Sequence, residues 1–102
     1  MSVTIVRYRV KPDHVEENAR LVRAVYDELA AVAPSGFHYA TSLLDDGTTF
    51  VHVAITDGAT PAPLPGLAAF ATFQAGLDAR VEEGPTFERS ASVVGSYPFA
   101  AG

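Results

Sequence analysis

The sequence predicts an α+β fold, a four-stranded antiparallel sheet with two helices on one face. Three observations point to it. Runs of β-branched and aromatic residues recur four times, an amphipathic stripe follows the first run, and an Asp-Gly step joins the second to the third. At 102 residues the chain has room for one domain, spanning 1–102, and for a single core.

Val3 to Val10 (VTIVRYRV) reads as the first strand, ended by Lys11-Pro12. Asp13 and Glu16 are spaced as a capping box, with Asp13 as N-cap. In the helix that follows, Val15, Ala19, Val22, Tyr26, Leu29 and Ala33 share one stripe at 100° per residue. Glu16, Arg20, Arg23 and Asp27 lie opposite, and Pro34-Ser35-Gly36 stops the helix. Phe37 to Leu44 and Thr49 to Thr56 form a hairpin through a two-residue type I′ turn at Asp46-Gly47. That turn pairs Leu43 with Phe50, Thr41 with His52 and Tyr39 with Ala54. A Pro-rich loop covers Asp57 to Gly66, and a second helix is expected over about Leu67 to Val81. Its buried side holds Leu67, Phe70, Phe73, Leu77 and Val81. Gly84-Pro85 ends it, and Thr86 to Tyr97 is the fourth strand. The order β-α-β-β-α-β is the ferredoxin-like arrangement.

One layer of helices covers one sheet face, so the other face should turn polar if it meets water. Here Phe37, Tyr39, Leu43, Phe50 and Ala54 fall on one side of the hairpin, and Ala40, Leu44, Val51, Val53 and Ile55 on the other. Neither side is a solvated face. Burial of such side chains stabilises by roughly 1.5–3 kcal/mol each, which favours a homodimer built sheet to sheet. The alternative is a C-terminal segment folded over the open face within one chain.

Composition narrows the function. A net charge of −5 and a single lysine, Lys11, argue against nucleic acid, whose phosphates require clustered cations. The absence of cysteine removes disulfides, thiolate metal sites and Cys nucleophiles, and fits a cytoplasmic protein. Arg7 and Arg9 interrupt the place where a signal peptide has its apolar centre. The longest uncharged stretch, Gly58 to Leu77, carries Pro61, Pro63 and Pro65 and makes a poor membrane span.

Taken together, "YRVKP", "DHVEENARLVRAVYDELAAVAP", "GFHYATSLLDDGTTFVHVAITD" and "AAFATF" resemble the antibiotic biosynthesis monooxygenase-like group of the dimeric α+β barrel superfamily. The resemblance covers nearly the whole chain. It implies a homodimer with a pocket between sheet and helices in each subunit. It also implies a range of activities, from cofactor-free oxygenation of quinols or aromatic polyketides to haem degradation. Better-studied members carry an Asn and a Trp in that pocket, four residues apart on the third strand in the polyketide oxygenases. By the resemblance those places fall on His52 and Thr56. This chain has no Trp, which counts against haem.

His52 is the candidate catalytic residue, a base for a phenolic substrate, because an imidazole titrates near neutrality. The competing reading is a hydrogen-bonded structural histidine. Tyr26, Tyr39, Thr41, Phe50, Thr56, Phe70 and Phe73 are the expected pocket wall for a small aromatic ligand, although aromatics at helical spacing also serve as plain core. His38 should point to the opposite face, and a three-residue turn would put both histidines on one face. His14 sits exposed in the first helical turn. Arg7 and Arg89 suit either an anionic group or a salt bridge at a dimer edge. No spacing of His with carboxylates suits a metal, so no metal or other cofactor is expected. Ser90, Ser92 and Ser96 lie in no nucleophile-elbow pattern. The sequence thus suggests a cofactor-independent monooxygenase acting on a quinol or a phenolic, polyketide-like compound. The alternative is a non-catalytic ligand-binding or interaction module on the same fold.

Overall fold

The computed structural model describes residues 2–57, 63–95 and 97. Strands β1 (Ser2–Val10), β2 (Phe37–Leu43), β3 (Thr49–Thr56) and β4 (Val81–Ala91) form one antiparallel sheet in the order β2-β3-β1-β4. Helices α1 (Val15–Val32), α2 (Ala68–Ala75) and α3 (Leu77–Arg80) complete the ferredoxin-like arrangement. Among the described residues no helix is long and apolar enough to cross a membrane.

The hairpin register is the expected one, Leu43 opposite Phe50, Thr41 opposite His52 and Tyr39 opposite Ala54. The turn itself differs. Gly47 N–H donates to Leu44 O and Leu44 N–H to Thr49 O, and only Gly47 has positive φ, at 74°. A tight turn followed by one left-handed glycine therefore replaces the type I′ pair, and keeps the same register because the sum of paired positions is unchanged. Asp46 holds the turn. Its carboxylate accepts from the Thr49 hydroxyl and from the N–H groups of Thr48 and Thr49. Those bonds, the Thr49 hydroxyl first, hold Asp46 down at a pKa of about 2.

Other expectations are corrected. Asp13 does not cap α1: Pro12–His14 form a 3₁₀ turn, the helix begins at Val15, and no side chain caps it. His14 is half-buried there rather than exposed, with Nδ1 3.1 Å from Glu17 Oε1. Ala33 leaves the apolar stripe to become an exposed left-handed C-cap, its N–H donating to Leu29 O. The second helix breaks at Gly76 and ends at Arg80, so Val81 opens β4 and Gly84-Pro85 lie within that strand. Gly84 has φ 94° and passes close to the β1 backbone, where an added Cβ would stand 3.1 Å from Arg7 O. β4 pairs irregularly with β1, which takes up this bulge. It stops at Ala91 rather than Tyr97, leaving Ser92 beyond it, and Ser96 lies outside the described residues.

The core sits between the sheet and helices: Tyr8, Val10, Val22, Val25, Phe50, Leu64, Leu67 and Phe73 are buried together. Leu43 escapes it, 47% exposed at the sheet edge. Helix α2 has no side-chain cap of its own. Glu28 on α1 supplies one, its carboxylate accepting from Ala69 N–H at 2.8 Å and Ala68 N–H at 3.3 Å.

Candidate functional site

Between sheet and helices lies a cavity of about 310 Å³. Its floor is the inward-pointing set of all four strands. Thr4, Val6 and Tyr8 come from β1, Tyr39 from β2, His52, Ala54 and Thr56 from β3, and Pro85, Phe87 and Arg89 from β4. Phe70, Phe73, Gln74, Leu77 and the Leu64-Pro65 turn form the roof. Alternate strand residues face one way, which is why positions 4, 6 and 8 and positions 52, 54 and 56 gather here.

Of the residues expected to form the wall, Tyr39, Thr56, Phe70 and Phe73 line this cavity along with His52. Tyr26, Thr41 and Phe50 stand behind it. Phe50 is core, stacked on Tyr8 with ring centres 5.7 Å apart. Tyr26 stacks behind Tyr39 at 5.2 Å and its hydroxyl lies 2.8 Å from Thr41 Oγ1. These three support the lining side chains and do not themselves form the surface. The side chain of His38 alternates to the other sheet face, at an exposed position opposite Ile55.

His52 is 4% exposed and has hydroxyl partners on both ring nitrogens. Tyr8 Oη lies 2.8 Å from Nε2, while Tyr39 Oη at 2.8 Å and Thr41 Oγ1 at 3.0 Å face Nδ1. Burial away from water penalises the charged ring and pushes its pKa down to about 4, so at neutral pH it is a neutral imidazole. The same desolvation raises Tyr8 to about 12, and raises Tyr26 and Tyr39 as well. The cluster is therefore uncharged at neutral pH, and its hydroxyls connect both ring nitrogens to neighbouring side chains.

Behind Tyr8 lies a part of the site that the sequence reading did not single out. Asn18, 0% exposed on α1, donates from Nδ2 to Tyr8 Oη at 3.0 Å. Arg80, 4% exposed, donates from Nε to Asn18 Oδ1 at 3.0 Å and from Nη2 to Phe73 O at 2.8 Å. Its guanidinium also lies over the Phe73 ring, 5.4 Å from the centre. Gly76 makes room for it, since an added Cβ would stand 2.8 Å from Arg80 Nη1. A signal was available: Asn18 falls between Val15 and Val22 on the apolar stripe, and Arg80 follows Phe73 and Leu77 at helical spacing. A polar residue on a buried stripe is the mark of an internal network.

The two strand arginines differ. Arg89 lines the cavity with its guanidinium 4.4 Å from the centre of the Phe87 ring. Arg7 lies on the other sheet face beside Arg9, which pairs with Glu83 at 2.8 Å. Among the described residues no group of three His, Cys, Asp or Glu side chains is placed to hold a metal ion.

No protein-family model matches the chain, and no curated protein matches it. Solved structures do match in fold. A Nitrosomonas europaea protein provisionally named an antibiotic biosynthesis monooxygenase superposes with a TM-score of 0.74 at 19% identity, over 91% of this chain and 90% of that one. Rv0793 from Mycobacterium tuberculosis gives 0.72 at 15% identity, over 94% and 98%. A further structure described as an antibiotic biosynthesis monooxygenase gives 0.70 at 16% identity, over 91% and 99%. At these identities the likeness is one of fold.

Proposed function

We propose, starting from the fold this chain shares with proteins called antibiotic biosynthesis monooxygenases, that it is a homodimeric, cofactor-independent monooxygenase acting on a quinol or a phenolic, polyketide-like compound. The observation that carries this reading is the cavity itself. It has aromatic walls, a volume of about 310 Å³, and one polar cluster centred on a neutral imidazole. Phe70 and Phe73 give the cavity an aromatic lining suited to a ring, and His52 with its tyrosines meets a phenolic hydroxyl. Because both ring nitrogens already face hydroxyls, the ligand's proton reaches His52 through a tyrosine rather than directly. The resulting phenolate or carbanion reacts with dioxygen. One oxygen atom enters the substrate, which loses two hydrogens, and the other leaves as water. All four electrons come from the substrate, so the protein supplies deprotonation and a dry site.

The dimer in this reading rests on the open sheet face, where Ile5, Val51, Val53 and Ile55 remain half-buried in a single chain.

A second reading has its own support. A histidine with a pKa of about 4 is a weak base, and a fully satisfied network suits a binding module that holds an aromatic ligand without transforming it. Oxygen uptake with simple quinols separates the two. For the oxygenase, His52→Ala lowers turnover by ~10²–10⁴-fold while the fold survives. A wild-type chain that binds a quinol by calorimetry and consumes no oxygen is the binding module.

A further inference from the structure

We infer that Arg80 and Asn18 are positioning residues: acting through Tyr8, they keep the proton of His52 on Nδ1 and leave Nε2 as acceptor, which makes Tyr8 rather than Tyr39 the ligand's route to the ring. Neither residue lines the cavity. The consequence for catalysis rests on the oxygenase reading above; the tautomer does not.

The inference begins with a group that can only donate. A guanidinium has no acceptor, so the Asn18 atom 3.0 Å from Arg80 Nε is the amide oxygen. The amide nitrogen then faces Tyr8 and donates to its oxygen. Tyr8 Oη has one other partner among the described residues, His52 Nε2. If Nε2 carried hydrogen, both neighbours would donate to Tyr8, and its hydroxyl hydrogen would have no acceptor among the described residues. Tyr8 therefore donates to Nε2. The proton of the neutral ring sits on Nδ1, which faces the oxygens of Tyr39 and Thr41, and either can accept it. Donation runs in one direction, from the guanidinium to the imidazole.

That direction selects a proton path. A ligand O–H breaks as its hydrogen bonds to Tyr8 Oη, while the original Tyr8 O–H breaks and its hydrogen bonds to Nε2. The ligand is left as its anion and the ring as imidazolium, with Nδ1–H unchanged. Through Tyr39 the same transfer is closed, because Nδ1 already bears hydrogen.

Nitrogen-15 spectra of the full chain at neutral pH, with His52 signals identified by their loss in His52→Gln, read the tautomer without any substrate. The expected wild-type result is a pyridine-type Nε2 and a pyrrole-type Nδ1; the reverse overturns the inference. Asn18→Asp has nearly the same volume, but its carboxylate accepts from both Arg80 and Tyr8. Tyr8 then donates away from the ring, and the tautomer should invert. An unchanged tautomer in a folded Asn18→Asp chain overturns the positioning role. Should that variant not fold, Tyr8→Phe serves: Nε2 should move further toward the value of a free pyridine-type nitrogen, and an unmoved signal counts against the inference. Where oxygen is consumed, Tyr8→Phe should cost ~10²-fold more turnover than Tyr39→Phe, and the opposite ranking overturns the path. A chain that consumes no oxygen removes the oxygenase reading while the spectra still decide the tautomer.

Discussion

The two faces of the sheet are made by alternate residues of the same strands, and they are built to different rules. On the helix face Tyr8, Tyr39 and His52 are interleaved with Val6, Phe50 and Ala54, and no buried side-chain nitrogen or oxygen among the described residues lacks a partner. On the open face Ile5, Val51, Val53 and Ile55 form an apolar area, bordered by Arg7 and the Arg9–Glu83 pair. Burial of plain apolar area is forgiving of geometry, whereas a buried polar chain fails if one member is missing. On the proposed reading, the covered face serves as the site and the open face as the association surface.

The largest test of this contrast is Val53→Glu. A carboxylate set into a sheet-to-sheet interface should cost about 4 kcal/mol of association, roughly a thousandfold in Kd. Light scattering should then report a monomer where the unaltered chain reports a dimer, with the cavity face intact. A wild-type chain that is monomeric at micromolar concentration would break the comparison.

Next in size is acid sensitivity between pH 6.5 and 4, which His52 brings to the helix face. The folded pKa of His52, about 4, lies below the ordinary 6.5, so between these values the unfolded chain binds a proton that the folded chain refuses. Stability contributed by the neutral ring is thus complete above pH 6.5 and declines as pH falls toward 4, by about 3 kcal/mol. Denaturant melts across that range should show the decline in wild type and in Val53→Glu, and a flatter profile in His52→Ala. Equal profiles in all three would remove His52 as the acid-sensitive group.

The smallest effect concerns the roof. Glu28→Ala leaves the first N–H groups of α2 without their carboxylate and should cost ~1 kcal/mol, read as a lower melting temperature.

Much of this was legible from periodicity. The period-2 runs located β1, β2 and β3, and the Asp-Gly step set the hairpin register although the turn has another geometry. The second helix was harder to bound, because Gly76 divides it and β4 starts at Val81, before the glycine and proline that suggested an end. In the site, His52 stood out as an ionisable residue in mid-strand. Its partners did not, since the chain links Tyr8, Asn18 and Arg80 from three elements, and no local pattern records which of them meet. Tyr26, Thr41 and Phe50 share the correct face, but facing inward does not distinguish a cavity wall from the layer behind it.

The Glu28 clasp has a bearing on time. An eight-residue helix is too short to persist alone in water, so α2 exists only while it is docked. Its first turn is tied to α1 at one carboxylate, whereas the floor of the cavity belongs to a continuous four-stranded ladder. The two halves of the enclosure should thus answer to different clocks: amides at the centre of the ladder are expected to exchange mainly on global unfolding, and those of α2 by local opening. On the reading proposed above, an aromatic ligand packed beneath α2 should slow amide exchange in the roof more than in the floor.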